Sequence, residues 1–159
     1  MFWKTKPQLT PDDVAVGILD ALVLTRHVRP ADGLELDEGS AKLFEGAAGI
    51  YQLATVIQVL LAEEKRSVKI ALARSEFDRR IFGLPNPDDR QKHLIVTAGE
   101  ALANLQELCR PDAARMTWGA RWLGAIGVEN VNPIHAAMIS AAWMSFLVDA
   151  TNRIRKVGS

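Results

Sequence analysis

The sequence predicts an all-α protein, folded as a compact single-domain bundle of about six helices. Apolar residues recur at helical spacing through several long segments, and no segment of convincing length has the alternation of a half-buried strand. Prolines and glycines separate these segments, and 159 residues are a usual length for one domain. We expect residues 1–9 to form an N-terminal arm and residues 10–157 to form the bundle.

The first two predicted helices cover residues 11–26 and 40–65. Thr10 and Pro11 are typical of a helix start, because a threonine caps free backbone N–H groups and a proline lacks the N–H that would be unpaired there. Residues 29–39 contain one proline and two glycines, so we expect them to form a loop between the two helices.

Residues 40–82 form either one kinked helix or two, since no glycine or proline lies between Gly49 and Gly83. The periodicity favours a break. The apolar stripes of the two parts differ in register by about two residues, or roughly 200° around a helix axis. A turn or kink at residues 64–67 would direct both stripes into one core. The third predicted helix then ends at Gly83, before Pro85.

The last three predicted helices cover residues 87–109, 111–126 and 133–156. Asn86-Pro87 and Asn132-Pro133 precede two of them and repeat the pattern of a capping side chain followed by a proline. The strongest apolar stripe of the last helix consists of Ile139, Trp143, Phe146, Ala150 and Ile154.

Two stretches without charged residues, 46–62 and 133–148, raise the question of membrane insertion. They contain 17 and 16 residues, at or below the shortest usual transmembrane span, and both include polar side chains. We therefore expect two buried core helices and no association with a membrane. The second stretch carries Ala137, Ala141 and Ser145 four residues apart. Small residues let helices approach closely, in a tight bundle or at the seam of a helical dimer.

The chemistry-bearing residues form no catalytic motif. The single cysteine, Cys109, cannot form an internal disulfide, so we expect a reducing compartment, the cytoplasm, and a buried Cys109. The sequence has no phosphate-binding glycine loop, nucleophile elbow, or pair of Glu-x-x-His motifs of the di-iron type. We expect no metal, no cofactor and no enzymatic activity. A small-molecule or cofactor site in a bundle cavity near His93 or His135 is an alternative.

Charge is balanced over the whole chain but segregated along it. Lysines and arginines number 19, as do aspartates and glutamates, so overall charge favours neither nucleic acid nor an anionic membrane. Residues 10–45 carry three cations and eight anions, or −5, and residues 65–80 carry six and two, or +4. The basic face of the third helix contains Lys65, Arg66, Lys69, Arg79 and Arg80. It is either a solvated face or a nucleic-acid-binding surface.

Tryptophan and arginine coincide in the fifth predicted helix. Trp118 and Trp122 are one turn apart, with Arg115 and Arg121 beside them at helical spacing. These residue types dominate the energetics of protein interfaces, although a half-buried tryptophan pair covered by arginine stems has the same pattern. Together with the unlike charged patches, they predict a soluble helical protein-interaction or self-assembly module. Its partner, another protein or a second copy of the chain, would bind at these four residues.

Overall fold

The computed structural model describes residues 38–108, 118–125 and 127–159. Within these ranges the chain forms five α-helices and one 3-10 turn, and no strand, which confirms the all-α class. In chain order the elements are α1 (Glu38–Glu63), the turn Glu64–Arg66, α2 (Val68–Phe82), α3 (Asp89–Leu108), α4 (Trp118–Ala125) and α5 (Pro133–Gly158). They correspond to the second to sixth predicted helices. The predicted arm and the predicted first helix, residues 11–26, lie outside the described residues.

The helix is interrupted between α1 and α2 at the position where the apolar stripe changes register, so residues 40–82 form two helices. The turn Glu64–Arg66 winds more tightly than an α-helix, and Ser67 after it is extended, with φ −151° and ψ 126°. This break lets Leu60 of α1 and Ile70 of α2 enter the same core, where they are 1% and 2% exposed.

The start of α1 differs from the prediction, whereas the end of α2 agrees with it. α1 begins at Glu38, two residues before the predicted start, and so takes in the end of the predicted loop 29–39. The last residue of α2 is Phe82, and Gly83 caps the helix at the predicted end. The left-handed φ of 65° at Gly83 stops the helix, while the Gly83 N–H still donates to the Arg79 carbonyl at 3.1 Å.

α3 begins two residues later than predicted, at Asp89. Asp88 caps this helix, and the prediction of a cap at Asn86 is wrong. Asp88 Oδ1 accepts from the Gln91 N–H at 2.7 Å, and Gln91 Oε1 accepts from the Asp88 N–H at 2.9 Å. This reciprocal capping box pairs two backbone donors at once, whereas Asn86 as the cap would pair one.

α5 begins as predicted. Asn132 is extended and its Oδ1 accepts from the Ile134 N–H at 2.8 Å, and Pro133 occupies the first helical position. The helix continues to Gly158, two residues beyond the predicted end.

α1 is the central helix of the described bundle. It packs against α2, α3 and α5, and every residue from Tyr51 to Leu60 is buried or half-buried. A helix that is apolar on all sides is stable when its neighbours surround it. The prediction that residues 46–62 belong to a buried core helix is therefore confirmed over residues 51–60.

Two clusters of buried side chains form the core. One cluster joins α1, α2, α3 and α5 and contains Leu53, Val56, Val59, Leu60, Ile70, Ala73, Phe77, Phe82, Ala98 and Ile154. The other joins α1, α3, α4 and α5 and contains Tyr51, Ala54, Ala101, Leu105, Trp122, Leu123 and Ile139. Each has an edge-to-face ring pair, Phe77 with Phe82 at 6.4 Å and Tyr51 with Trp122 at 5.7 Å between centroids.

Hydrogen bonds fix one face of α5 against α1 and α4. Trp143 Nε1 donates to Thr55 Oγ1 at 3.1 Å, and Thr55 in turn donates to the Tyr51 carbonyl at 2.8 Å. The Gly119 N–H of α4 donates to Ser140 Oγ at 2.8 Å. We call this side the inner face of α5, and its members include Ile139, Ser140, Trp143, Ala150 and Ile154.

Candidate interaction surfaces

The structure describes part of the predicted tryptophan–arginine site. Trp122 is 3% exposed, and its indole packs on Tyr51 in the core. Arg121 is exposed, Trp118 begins α4, and Arg115 lies outside the described residues. An interface at this helix stays a prediction. In it, Arg121 would contact the partner, while Trp122 would hold α4 in place from the core side.

Carboxylates pair with the arginines in the second half of the predicted basic face. Arg79 Nε and Arg80 Nε each lie 3.0 Å from a carboxylate oxygen of Glu76. Arg74 of the same helix donates to both carboxylate oxygens of Glu64, at 2.7 and 2.8 Å. Much of the positive charge of α2 is therefore compensated within the chain, which reduces its attraction for phosphates.

Asp78 of α2 belongs to the same ion-pair network. Burial raises the pKa of this carboxyl, the charge of Arg74 partly offsets the rise, and Glu64 adds to it. The Arg74 Nε lies 3.6 Å from Asp78 Oδ2. A displaced pKa can mark a functional group, but structural ion pairs displace pKa values as well. Because its partners are Arg74 and Glu64 of the same network, we assign Asp78 to a structural ion pair and not to a functional site.

Five cations gather at one end of the bundle, around the turn between α1 and α2. We refer to this group of cations as the basic end; it consists of Lys65, Arg66, Lys69, Arg155 and Lys156. The last turn of α5 lies at this end and is bonded to it. Ser67 Oγ donates to the Gly158 carbonyl and Lys69 Nζ donates to the Ser159 carbonyl, each at 3.4 Å. Arg155 and Lys156 of α5 thus join Lys65, Arg66 and Lys69, the first three residues of the predicted basic face.

A buried carboxylate ties the basic end together. The side chain of Glu63 is 8% exposed, Arg155 Nη2 donates to its Oε1 at 2.9 Å, and Arg66 Nη1 lies 4.0 Å from its Oε2. The hydrogen bond from Arg155, helped by the charges of both arginines, outweighs the cost of burial and lowers the pKa of Glu63. The same bond raises the pKa of Arg155. Ionised Glu63 therefore links α1 to α5 at neutral pH.

α5 exposes a line of apolar and small side chains on the side away from its inner face. Ile134, Met138 and Val148 are 70%, 48% and 55% exposed, and Ala141 and Ser145 between them are exposed as well. Neighbours in this line are alternately four and three residues apart, a spacing that keeps them on one side of a helix. We call these five residues the outer stripe.

The outer stripe corrects the prediction that residues 133–148 form a buried core helix. The core covers the inner face of this helix and leaves the other side exposed. By length and composition alone, α5 could also cross a membrane, and it is the one helix within the described ranges that could. The absence of membrane association and the cytoplasmic location stay predictions.

The histidines are spread over different helices. His93 is exposed on α3, and His135 is half-buried in the first turn of α5, beside the outer stripe. Among residues 38–108, 118–125 and 127–159, no group of three or more histidine, cysteine, aspartate or glutamate side chains is arranged to hold a metal ion. Cys109 lies outside those ranges.

No family model, curated protein or solved structure matches this chain. The outer stripe exposes large apolar side chains to water, at a free-energy cost that burial against a partner would remove.

Proposed function

We propose that the chain is a helical self-association module and that the outer stripe of α5 is its docking surface. One observation carries this proposal: three large apolar side chains, Ile134, Met138 and Val148, are about half exposed or more along one line of a long helix. The opposite face of the same helix is held by hydrogen bonds to α1 and α4. A docking surface on a fixed helix needs little reorganisation to bind.

The middle of the outer stripe suits another helix better than a loop or a flat surface. Ala141 and Ser145 have small side chains, so a second backbone can come close to α5 between the larger side chains. The alternation of four- and three-residue steps is the pattern with which helices interlock. The stripe from Ile134 to Val148 covers 14 residue steps, or about 21 Å of helix.

Sedimentation equilibrium of the full chain and of Val148→Lys over a range of concentrations tests this proposal. Full burial of a valine is worth about 1.5 kcal/mol or more, and Val148 starts 55% exposed, so each copy would gain about 1 kcal/mol. A dimer contains two copies, so we expect the substitution to weaken association at least about tenfold.

The matched control is Val96→Lys. Val96 is 59% exposed on α3, close to the exposure of Val148, and it lies outside the outer stripe. We expect this variant to associate like the unmodified chain. A chain that stays monomeric at all concentrations, or equal weakening by both substitutions, would contradict the proposal.

A second candidate function is binding of nucleic acid at the basic end. It is supported by Lys156, which the last turn of α5 adds to Lys65, Arg66 and Lys69, and by Arg155, whose charge Glu63 compensates in part. Affinity for a duplex oligonucleotide should then fall steeply as salt is raised.

Charge reversal at the basic end separates this candidate from self-association. The double substitution Lys65→Glu and Lys69→Glu should flatten the salt dependence of oligonucleotide binding, while Lys92→Glu on α3 should leave it unchanged. An absence of binding at low salt would rule this function out.

A further inference from the structure

We infer that the partner on the outer stripe is α5 of a second copy, lying antiparallel, with the two-fold axis passing between Ala141 and Ser145. This inference rests on the proposed self-association and adds its orientation and register. The carrying observation is that four of the five residues of the outer stripe, Met138, Ala141, Ser145 and Val148, pair with one another when the helix is laid on its own reverse.

The register follows from the spacing. When α5 is laid antiparallel on a copy of itself about a centre at residue 143, Ala141 faces Ser145 of the second copy and Met138 faces Val148 of the second copy. The pairs repeat with the roles exchanged on the other side of the axis. Small residues therefore meet at the centre, and larger apolar residues meet one turn further out on both sides.

The charges of α5 favour the antiparallel orientation over the parallel one. Its last two turns carry Arg153, Arg155 and Lys156, which are all exposed. A parallel pair would bring the three cations of one copy beside those of the other, whereas an antiparallel pair separates them by most of the helix, about 30 Å. Antiparallel helix dipoles also attract each other.

One polar pair flanks the seam in this register. His135 and Asp149 lie on the same side of the outer stripe, each one residue after a member of it. Antiparallel pairing about residue 143 places His135 of one copy within two residue steps, or about 3 Å along the axis, of Asp149 of the other, and symmetry makes this approach twice. An imidazole N–H can donate to a carboxylate there, and Arg153 already orients Asp149 by donating to its Oδ2 at 2.8 Å.

The size of the seam indicates a reversible dimer. Extended by the next position, Asn152, it covers 18 residue steps, or about 27 Å, with a width of about 10 Å. This area is smaller than the roughly 800 Å² per partner of a standard stable interface. We therefore expect a dissociation constant on the order of micromolar.

Disulfide trapping between two singly substituted chains tests the orientation. Met138→Cys and Val148→Cys are mixed in equal amounts and oxidised gently, and the linked dimers are distinguished by intact mass. We expect the mixed 138–148 dimer to exceed both dimers of like chains severalfold. Two Met138 positions of an antiparallel pair are separated by ten residue steps, or about 15 Å along the axis, too far for a disulfide.

Val96→Cys, mixed with either variant, is the control for random collision. Digestion of the linked dimers separates disulfides of the native Cys109 from those of the introduced cysteines. Dominance of like-chain dimers would show a parallel pair, and a random distribution that matches the Val96→Cys control would show no defined register. Either result overturns this inference while self-association still stands on the sedimentation data.

A chain that is monomeric in sedimentation overturns both the inference and the proposed function. If Val148→Lys then also lowers the melting temperature more than Val96→Lys, a segment of the same chain, such as residues 11–26, covers the outer stripe. If the chain instead binds phosphatidylcholine vesicles, and Val148→Lys abolishes this binding, the stripe faces a lipid surface.

The polar pair gives an independent test. His135→Glu should raise the dissociation constant severalfold by bringing two carboxylates close together across the seam, and adding Asp149→Lys in the same chain should restore it. Glutamate in the first turn of a helix is favourable to the dipole, so the fold itself should not lose stability. A weakened dimer without rescue, or an unchanged dissociation constant, would contradict the register.

Discussion

The substitution Gly119→Ala measures how closely α4 approaches the inner face of α5. Gly119 is buried, and a Cβ added to it would overlap the backbone carbonyl oxygen of Ala136 and lie 2.8 Å from Ser140 Oγ. Backbone atoms cannot rotate away, so the two helices would have to separate. Separation would also weaken the hydrogen bond from the Gly119 N–H to Ser140 Oγ, now 2.8 Å long.

The magnitude follows from three contributions. Overpacking costs about 1–3 kcal/mol, loss of the hydrogen bond about 1 kcal/mol, and the better helix propensity of alanine returns about 1 kcal/mol. We expect Gly119→Ala to lower the free energy of unfolding by about 2 kcal/mol. For a chain of this length, the melting temperature would fall by roughly 4–8 °C.

Gly124→Ala on the same helix is the matched control. A Cβ at Gly124 meets nothing within 4 Å, so alanine there should raise the free energy of unfolding by about 0.5–1 kcal/mol. Urea unfolding followed by tryptophan fluorescence and circular dichroism gives both values from the midpoints and slopes. If the two alanine variants are equally stable, the close approach of α4 and α5 is refuted.

Two further predictions concern the ends of α5. Glu63→Gln should lower stability near neutral pH, because the ionised form of Glu63, whose pKa is lowered by Arg155, contributes stability above the ordinary pKa of 4.5 and loses it as the pH falls through the lowered value. The difference in free energy of unfolding between this variant and the unmodified chain should therefore shrink from pH 7 to pH 3, and a constant difference would contradict the assignment. Asn132→Ala removes the 2.8 Å bond to the Ile134 N–H and should cost about 1 kcal/mol in thermal unfolding. No change in the melting temperature would show that the cap is not formed in solution.

Features fixed by neighbouring residues were predictable from the sequence. Gly83 ends α2 and Asn132 starts α5 because their own backbone and side-chain chemistry decides these ends. The start of α3 was missed because two capping residues, Asn86 and Asp88, compete within three positions. Gln91 selects Asp88 as the cap by accepting from its backbone N–H. From the sequence alone, Gln91 cannot be told apart from any other polar residue on a helix surface.

The exposure of the outer stripe was harder to predict, because it depends on which sides of a helix the rest of the chain covers. Residues 133–148 are apolar on two sides, and such a pattern usually indicates complete burial. The small residues Ala141 and Ser145 indicated close helix packing, either inside the bundle or at a dimer seam. Both are exposed, so they do not pack inside the bundle. The burial of Trp122 likewise depends on where α1 places Tyr51.

The bonds that attach α5 to the central helix join parts of the chain that are synthesised far apart. Trp143 and Thr55 are separated by 88 positions, and Arg155 and Glu63 by 92. Closing loops of this length has a large entropic cost before any contact compensates it, so such contacts form late in folding. Until α5 docks, Thr55 and Glu63 are without these partners and both apolar sides of α5 are exposed. Docking of α5 therefore buries its inner face late in folding, so substitutions on that face should reduce stability mainly by speeding unfolding, with little effect on the folding rate.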